Sequence, residues 1–415
     1  MARSRCVPRV FVCLAASLLC AAAPALADEY GRLFQVVGPR GSIQQALDQA
    51  RPGGVVLVLP GTYHENASGT NALQISKSVH LIGLSTPNAR VVLENAGGQR
   101  NGIVAVPSEH YDCMSCHASL APPFTLLPHA EGMTLSQEPT IYGLTIRGIT
   151  IRDFSNNGLF ARGVDGYAFV DVHSVNNPNY GIFPVSTRNG LITRSSATGA
   201  DDSGIWVETS QNVSVTHNVV ENNVNGFEVS NSDDILLAHN VARGNSVGMA
   251  ILFLPDIFDV RQDTQRITIR DNEIHDNNKP NTAGPGSILS TVPPGIGILH
   301  LGADDSRIER NVVEDNDFIG IGVVDYCLAV FGGPFDCGAD PEVTPGFIMD
   351  SRASNNQVVA NELANNGTNA DPDTNPFAFT ASDLGLLTTN DHGNCYADNV
   401  FATFYSTLGV LPPCP

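Results

Sequence analysis

The sequence predicts an all-β chain: a single-stranded, right-handed parallel β-helix of about eleven coils with an N-terminal helical cap. Two observations support this fold class. A unit of 22 or 23 residues recurs, and each copy has three short apolar stretches after a glycine. Asparagine or aspartate then recurs at fixed distances from that glycine. Helical repeats would need longer segments with apolar residues spaced by 3.6, and the sequence has none.

The repeat is clearest in the middle of the chain, where each unit predicts three short strands. In one copy the apolar stretches are 204–208, 213–215 and 219–220. Three strands in about 22 residues make one coil of a β-helix. The glycines that open successive units are Gly158, Gly181, Gly204, Gly226, Gly248, Gly297 and Gly320.

Polar residues mark the predicted turns in register. Asparagine tolerates left-handed backbone angles and bonds to its own turn, which suits tight corners. Equal spacing brings the amides of successive coils above one another, so we expect them to stack. Eight residues after a glycine come Asn189, Asn212, Asp234 and Asp305. Fourteen residues after a glycine come Asn218, Asn240 and Asn311. Nineteen residues after a glycine come Asn177, Asn223, Asn245 and Asn316.

The segment before the repeats predicts a cap for the coil. Residues 42–50 have the pattern of a short amphipathic helix, and 55–63 that of a strand and a turn. This segment and the repeats resemble the pectin-lyase-like β-helix superfamily, in particular bacterial secreted proteins with tandem β-helix repeats. The resemblance implies the fold. It implies no single activity, because that superfamily contains pectate lyases, polygalacturonases, mannuronan epimerases and non-catalytic coils.

Export is predicted by the first 27 residues. Arg3, Arg5 and Arg9 precede an apolar run over 10–23 that is too short to span a bilayer, and a small-residue cleavage pattern ends at Ala27. We therefore expect a signal peptide at 1–27, one β-helix domain over 28–415, and a periplasmic or extracellular location. No later segment predicts a membrane span. The net charge of −20 argues against nucleic acid as a partner.

The cysteines that follow the signal peptide are even in number, which in an exported chain favours disulfides. Pairing of neighbours along the sequence would join Cys327 to Cys337 and Cys395 to Cys414.

Four segments interrupt the repeat, at about 107–139, 254–265, 279–295 and 325–351. Because the coils stack in register, we expect these insertions to rise along the edges of the sheet that the first strands form. They would then wall a groove over that sheet. The alternative is that the insertions only protect the coil.

The floor of this groove follows from the alternation of side chains along a strand. If Ile205 and Val207 point inward, then Trp206 and Glu208 point outward. Aromatic rings beside carboxylates suit the apolar faces and hydroxyls of sugars. The alternative is that a long loop covers the rings. The same phase predicts an outward substrate-binding set of Phe160, Arg162, Phe183 and Trp206, which Glu228 continues.

Acidic residues around Trp206 are the candidate catalytic groups. Asp201 and Asp202 lie in a Gly-Ala-Asp-Asp setting similar to the acidic pair of polygalacturonases, and Glu208 and Glu228 follow on the same predicted face. The other signatures of polygalacturonases, pectate lyases and mannuronan epimerases are absent. Arg162, Arg188 and His300 could supply charge neutralisation or proton transfer. Oxygen ligands at Asp201 and Asp202 could instead bind Ca²⁺.

One motif points to different chemistry. Cys113, Cys116 and His117 form the C-x-x-C-H pattern of covalent c-type haem, and Met133 could supply a second axial ligand. The alternative is a local disulfide between Cys113 and Cys116.

Three functions therefore remain open from the sequence. The first is a polysaccharide-active enzyme working by hydrolysis, elimination or epimerisation. The second is a non-catalytic surface or glycan-binding β-helix. The third is a haem c protein that would need a redox partner.

Overall fold

The predicted right-handed parallel β-helix is confirmed by the computed structural model. The structure describes residues 33–107, 140–254, 263–329, 337 and 350–415, together with the backbone of the antiparallel strands Glu342–Thr344 and Phe347–Met349. Successive coils add parallel strands to three faces. One face is an eleven-stranded sheet, called sheet 1 below, and the other two belong to a twenty-stranded sheet.

Sheet 1 contains the strands that follow a repeat glycine directly or have it as their second residue. Each strand pairs in parallel with those of the coils before and after it, so eleven strands agree with about eleven predicted coils. In spatial and chain order they are Asn71–Ile75, Asn101–Ala105, Leu159–Arg162, Tyr180–Val185, Ser203–Glu208, Asn225–Ser230, Val247–Leu252, Ile296–Leu301, Ile319–Val324, Ser382–Leu387 and Phe404–Ser406.

Two long strands, Ile141–Arg152 and Val164–Val175, run through both remaining faces and join them into one sheet. On the second face the other strands are Phe34–Val37, Gly54–Val58, Val79–Gly83, Arg188–Thr193, Gln211–Thr216, Asp233–Ala238, Thr268–Arg270, Arg307–Glu309, Gln357–Val359 and Cys395–Ala397. On the third they are Gly61–Tyr63, Val91–Glu94, Ser196–Thr198, Val219–Glu221, Val241–Arg243, Glu273–His275, Val312–Glu314 and Glu362–Ala364.

The helix predicted near the start is present as Ile43–Gln49. The hydroxyl oxygen of Ser42 accepts a hydrogen bond from the Gln45 N–H, as an N-cap does, and the Glu65 carboxylate accepts from the Ile43 N–H. The helix buries its apolar side chains against the first strands. Elsewhere in the described residues, the helical segments are the short α-helix Tyr326–Ala329 and the 3₁₀ helices Ile288–Thr291 and Ala378–Thr380.

The core is the continuous interior of the coil. Side chains alternate along each strand, so Ile205 and Val207 pack inward with their equivalents from neighbouring coils, while Trp206 belongs to a separate cluster outside. The predicted phase of this strand is therefore correct. The apolar side chains that every coil buries in this interior are the main source of stability.

The repeat glycines have a steric explanation. A Cβ atom on Gly226 would lie 2.5 Å from the backbone oxygen of Gly248 and 2.9 Å from Nδ2 of Asn245. No side chain fits at that position, because the next coil and its stacked asparagine occupy the space.

The predicted stacking of asparagines is also confirmed. Each side chain donates through Nδ2 to the Oδ1 of the next, at 2.9–3.1 Å, along the series Asn218, Asn240, Asn272, Asn311, Asn361 and Asn399. The turn residues Asn189, Asn212, Asp234 and Asp305 have positive φ angles of 48–56°. Asparagine and aspartate thus occupy the left-handed corners that their chemistry favours.

Both predicted disulfides are present, Cys327–Cys337 and Cys395–Cys414, with Cα atoms 5.3 and 4.7 Å apart. Among the residues that the structure describes, no helix is long and apolar enough to cross a membrane.

Candidate functional site

The outer face of sheet 1 is built from columns of side chains, one residue from each coil. The central column changes character along the axis. It passes from large aromatic rings through one carboxylate to small or aliphatic residues, in the order Phe160, Phe183, Trp206, Glu228, Ala250, Leu299, Gly322 and Gly385.

The aromatic part of the central column is packed rather than open. Trp206 stacks on Phe183 with ring centroids 4.4 Å apart, and Phe183 lies 5.4 Å from Phe160. Leu254 packs into the same cluster, and Trp206 is only 7% exposed. The outward orientation predicted for these rings is correct, but they do not form an open platform. The alternative from the sequence, in which the rings are covered, is the one that applies to Phe160 and Phe183.

A cavity of about 310 Å³ begins where the aromatic part ends. Trp206 and Tyr180 form one end, and Ala250, Leu299 and Gly322 lie on the floor. Three other segments contribute the walls, which are Gly286–Pro293, Tyr326–Ala329 and Phe377–Thr380. Its volume is at the lower end of the range of small-molecule pockets, which starts at about 300 Å³.

Two carboxyl groups meet at the aromatic end of this cavity. The Ser203 hydroxyl lies 3.0 Å from Oδ1 of Asp202 and 2.5 Å from Oε2 of Glu228. The side-chain amide of Asn225 donates to the same Glu228 oxygen at 2.9 Å. Asp202 and Glu228 both line the cavity. The fold thus joins two acids from adjacent coils through one hydroxyl group.

The shared hydroxyl determines how the two acids are protonated. Ser203 has one proton and can donate to only one carboxylate, so the second short contact requires a protonated carboxyl that donates to Ser203. Burial, together with the charge of Glu228, raises the pKa of Asp202 to about 8, and burial raises the pKa of Glu228. In its singly protonated form, the pair provides one acid and one base side by side.

The other predicted acids lie elsewhere. Asp201 is exposed, and its Oδ1 accepts a hydrogen bond of 2.7 Å from the Thr282 hydroxyl. Glu208 is fully buried in the adjacent outward column, between Val185 and Ser230, and does not line the cavity. Arg162 is half-buried in that same column.

Two predicted substrate-binding residues are not on this face, and those predictions are corrected here. Arg188 begins a strand of the second face and pairs with Asp165 at 2.8 Å. His300 points into the coil between Ile251 and Val323, where burial lowers its pKa to about 3. Both errors could have been avoided. His300 is three residues after its glycine, as is inward Val207, and Arg188 is seven after its glycine, where the second strand begins.

The sequence interpretation missed Ser203, Asn225 and Tyr180. Ser203 and Asn225 each precede a repeat glycine directly, so they share an outward column beside Glu228. That register was available from the repeat. The small floor residues Ala250 and Gly322 were also available, since they continue the column of Trp206.

The haem prediction lies outside the described residues, because Cys113, Cys116, His117 and Met133 all belong to the segment 108–139. It stays a prediction. Within the described part of the chain, no group of three His, Cys, Asp or Glu side chains could hold a metal ion, and this includes the region of Asp201 and Asp202 suggested for Ca²⁺.

Comparisons with known proteins identify the fold. A family model for the right-handed β-helix region matches residues 128–253. The A-module of mannuronan C-5 epimerase AlgE4 from Azotobacter vinelandii superposes with a TM-score of 0.52 at 17% identity, over 88% of this chain and 94% of that one. Its AlgE6 counterpart gives 0.49 at 16% identity, over 90% and 94%. DFA-IIIase from Arthrobacter chlorophenolicus A6 gives 0.44 at 13% identity, over 89% of each chain.

No curated protein matches the chain. At 17% identity, the likeness to the AlgE4 module concerns the fold alone. The chain is a right-handed parallel β-helix protein.

Proposed function

We propose that this protein is exported and acts on a carbohydrate at the outer face of sheet 1, with Asp202 and Glu228 as its acid–base pair. The observation that supports this most is the Ser203 hydroxyl shared by two carboxyl groups at one end of a cavity. The predicted signal peptide at 1–27 and the two disulfides support export, because disulfides persist outside the reducing cytoplasm.

The acid pair suits the reactions of saccharides. Glycoside hydrolysis uses one carboxylic acid to protonate the leaving oxygen and one carboxylate as base or nucleophile. Elimination and epimerisation likewise need one group that removes a proton and one that donates it. The rings of Trp206 and Tyr180 beside the pair provide apolar surfaces of the kind that sugar rings contact. A carbohydrate with its reacting bond at Ser203 would meet all of these groups.

The test is a screen of neutral and acidic polysaccharides and their oligosaccharides for released or altered product. We expect Asp202→Asn and Glu228→Gln each to lower kcat by about 100-fold or more, because each removes one half of the proton transfer. Asp201→Asn is the matched control, since it changes the adjacent carboxylate, which is exposed and bonded to Thr282. It should retain wild-type turnover.

The pH profile provides a second readout. Turnover should be highest where the pair holds one proton and fall on both sides, in a bell shape. Turnover unchanged in both cavity variants would reject the assignment of Asp202 and Glu228. Saturable glycan binding without any product would favour the alternative, a non-catalytic glycan-binding β-helix.

A further inference from the structure

We infer that the cavity on sheet 1 binds an apolar group, so that the substrate is an amphipathic carbohydrate carrying an alkyl, acyl or aryl substituent. This inference rests on the proposed function and specifies its substrate class. The sugar would lie at the Asp202–Glu228 end, and the substituent would fill the rest of the cavity.

The first argument is the composition of the floor. Beyond Glu228 the central column continues as Ala250, Leu299 and Gly322. The adjacent outward column continues as Leu252, Leu301 and Val324. All six residues line the cavity. Small residues in one column beside large aliphatic residues in the next leave an apolar trough along the axis of the coil.

The second argument is the composition of the walls. The segment before the strand Ile296–Leu301 contributes Ile288, Leu289 and Val292, and Phe377 closes the far side. This wall is held in place by Asn281, whose side-chain amide donates to the backbone oxygens of Leu289 and Val292, both at 2.8 Å. Hydrogen bonds within the chain thus fix this wall, as expected for a largely pre-formed small-molecule site.

The third argument is the position of the polar groups. Asp202, Asn225 and Glu228 are together at one end. Apart from the tyrosines and Trp206, whose indole N–H donates to Ser230, the other polar side chains of the lining are hydroxyls that already donate to backbone oxygens of their own turns: Ser287 to Gly284, Thr291 to Ile288 and Thr380 to Phe377. These three hydroxyls have no proton left to donate, so a sugar placed there would exchange full hydration for few hydrogen bonds, which is costly. An alkyl or aryl group loses nothing by entering.

The volume limits the size of this group. A methylene is about as large as a water molecule, which occupies roughly 30 Å³. A cavity of about 310 Å³ therefore has room for a substituent of several carbon atoms and limits its length.

The chain contains its own reporter for the test. Trp206 is its single tryptophan and lines the cavity, so its fluorescence reports directly on occupancy. We would titrate the protein with n-alkyl glucosides of increasing chain length, kept below their micelle concentrations, with free glucose and with n-alkanols. Affinity for the glucosides should rise about fourfold per methylene and level off near the length that fills the cavity.

A variant that fills the floor provides the control on position. Gly322→Leu adds a side chain whose Cβ would contact only Ile319 and Val324 closely, at 3.2 and 3.7 Å. It should abolish the chain-length dependence. Gly284→Leu is the matched control, because a Cβ there has no neighbour within 4 Å and lies outside the lining. If Gly322→Leu does not fold, Ala329→Leu fills the same cavity from the helix Tyr326–Ala329.

The outcomes separate this inference from the proposed function. Affinity independent of chain length, or unchanged in the cavity-filling variant, would overturn the inference. So would alkanols that bind as tightly as glucosides of the same length, since the sugar would then contribute nothing. If the protein turns over unsubstituted polysaccharides and this turnover requires Asp202, the proposed function stands and the inference about the apolar substituent does not. Chain-length-dependent glucoside binding, with no turnover of any carbohydrate, would leave the cavity assignment intact and reject catalysis.

Discussion

At the scale of single residues, the acid pair Asp202–Glu228 couples its protonation to folding. Within the folded chain, Asp202 keeps its proton up to about pH 8, whereas an exposed aspartate loses it near its ordinary value of 3.8. Between these values the unfolded chain binds fewer protons than the folded chain. The contribution of Asp202 to the free energy of unfolding therefore falls as the pH rises through this window.

The corresponding prediction concerns Asp202→Asn. The amide carries no ionisation penalty, so the variant should be more stable than the wild type at pH 8, by roughly 1–3 kcal/mol since Asp202 is only half-buried. At pH 4 to 5 most of this difference should vanish. Thermal unfolding at the two pH values measures it, with Asp201→Asn as the exposed control. An equal shift at both pH values would contradict the raised pKa.

At the scale of the element, stacked asparagines hold a corner of the coil, and each of them serves two coils. Asn311 donates to the Ile269 backbone oxygen and to Asn361, both at 2.9 Å. Its own Oδ1 accepts from the backbone N–H and the side-chain amide of Asn272. These groups are buried, so their hydrogen bonds cannot be replaced by water without rearrangement. The stacked amides thus satisfy the backbone at corners where no strand can.

We predict that Asn311→Ala lowers the free energy of unfolding by about 2–4 kcal/mol, because several buried donors and acceptors lose their partner together. Asn212→Gly is the control. It removes an amide from an exposed stack while keeping a residue that accepts the left-handed backbone angle there. Urea unfolding should show a much smaller loss for the control. Equal losses would mean that buried and exposed stacks contribute alike.

At the scale of the whole molecule, the coils form a one-dimensional array in which each coil contacts its neighbours. Among the coils that the structure describes, the last has a neighbour on one side only, and a disulfide joins it to the coil before it. Cys395 begins a strand that pairs with Gln357–Val359, and Cys414 joins it to the chain end across 19 residues. In such arrays the terminal units unfold most readily, so a covalent link is most useful there.

Replacing Cys395 and Cys414 together by serine should destabilise the terminal coil by about 3 kcal/mol, the value expected for a loop of this length. Limited proteolysis followed by mass spectrometry should then show cleavage after residue 390 that the wild type resists. The serine variant of Cys327 and Cys337 is the control, because that disulfide lies next to the cavity wall and not at the chain end. If both variants showed the same C-terminal cleavage, the Cys395–Cys414 disulfide would not act locally on the terminal coil.

The coil and the stacking of Asn218 on Asn240 were determined by the sequence alone, because both depend on neighbours one repeat away and a linear pattern contains them. Alternation along a strand gave the inward phase of Ile205 as one of two choices, and the structure decided between them. The two disulfides were predicted from the pairing of neighbouring cysteines, which follows no repeat spacing. The candidate site was predictable in part. The alternation of side chains placed Trp206 and Glu228 in one outward column. Asp202 comes shortly before Trp206 in the chain, which placed it near the same column.

Tertiary structure alone decided what this face can do. The cavity depends on segments without a repeat, such as the wall held by Asn281 and the contact of Thr282 with Asp201, which is 81 residues away. The link between Asp202 and Glu228 likewise required the Ser203 hydroxyl to lie between two coils. No period predicts such contacts, because they depend on how irregular segments fold over the sheet and exclude water from it.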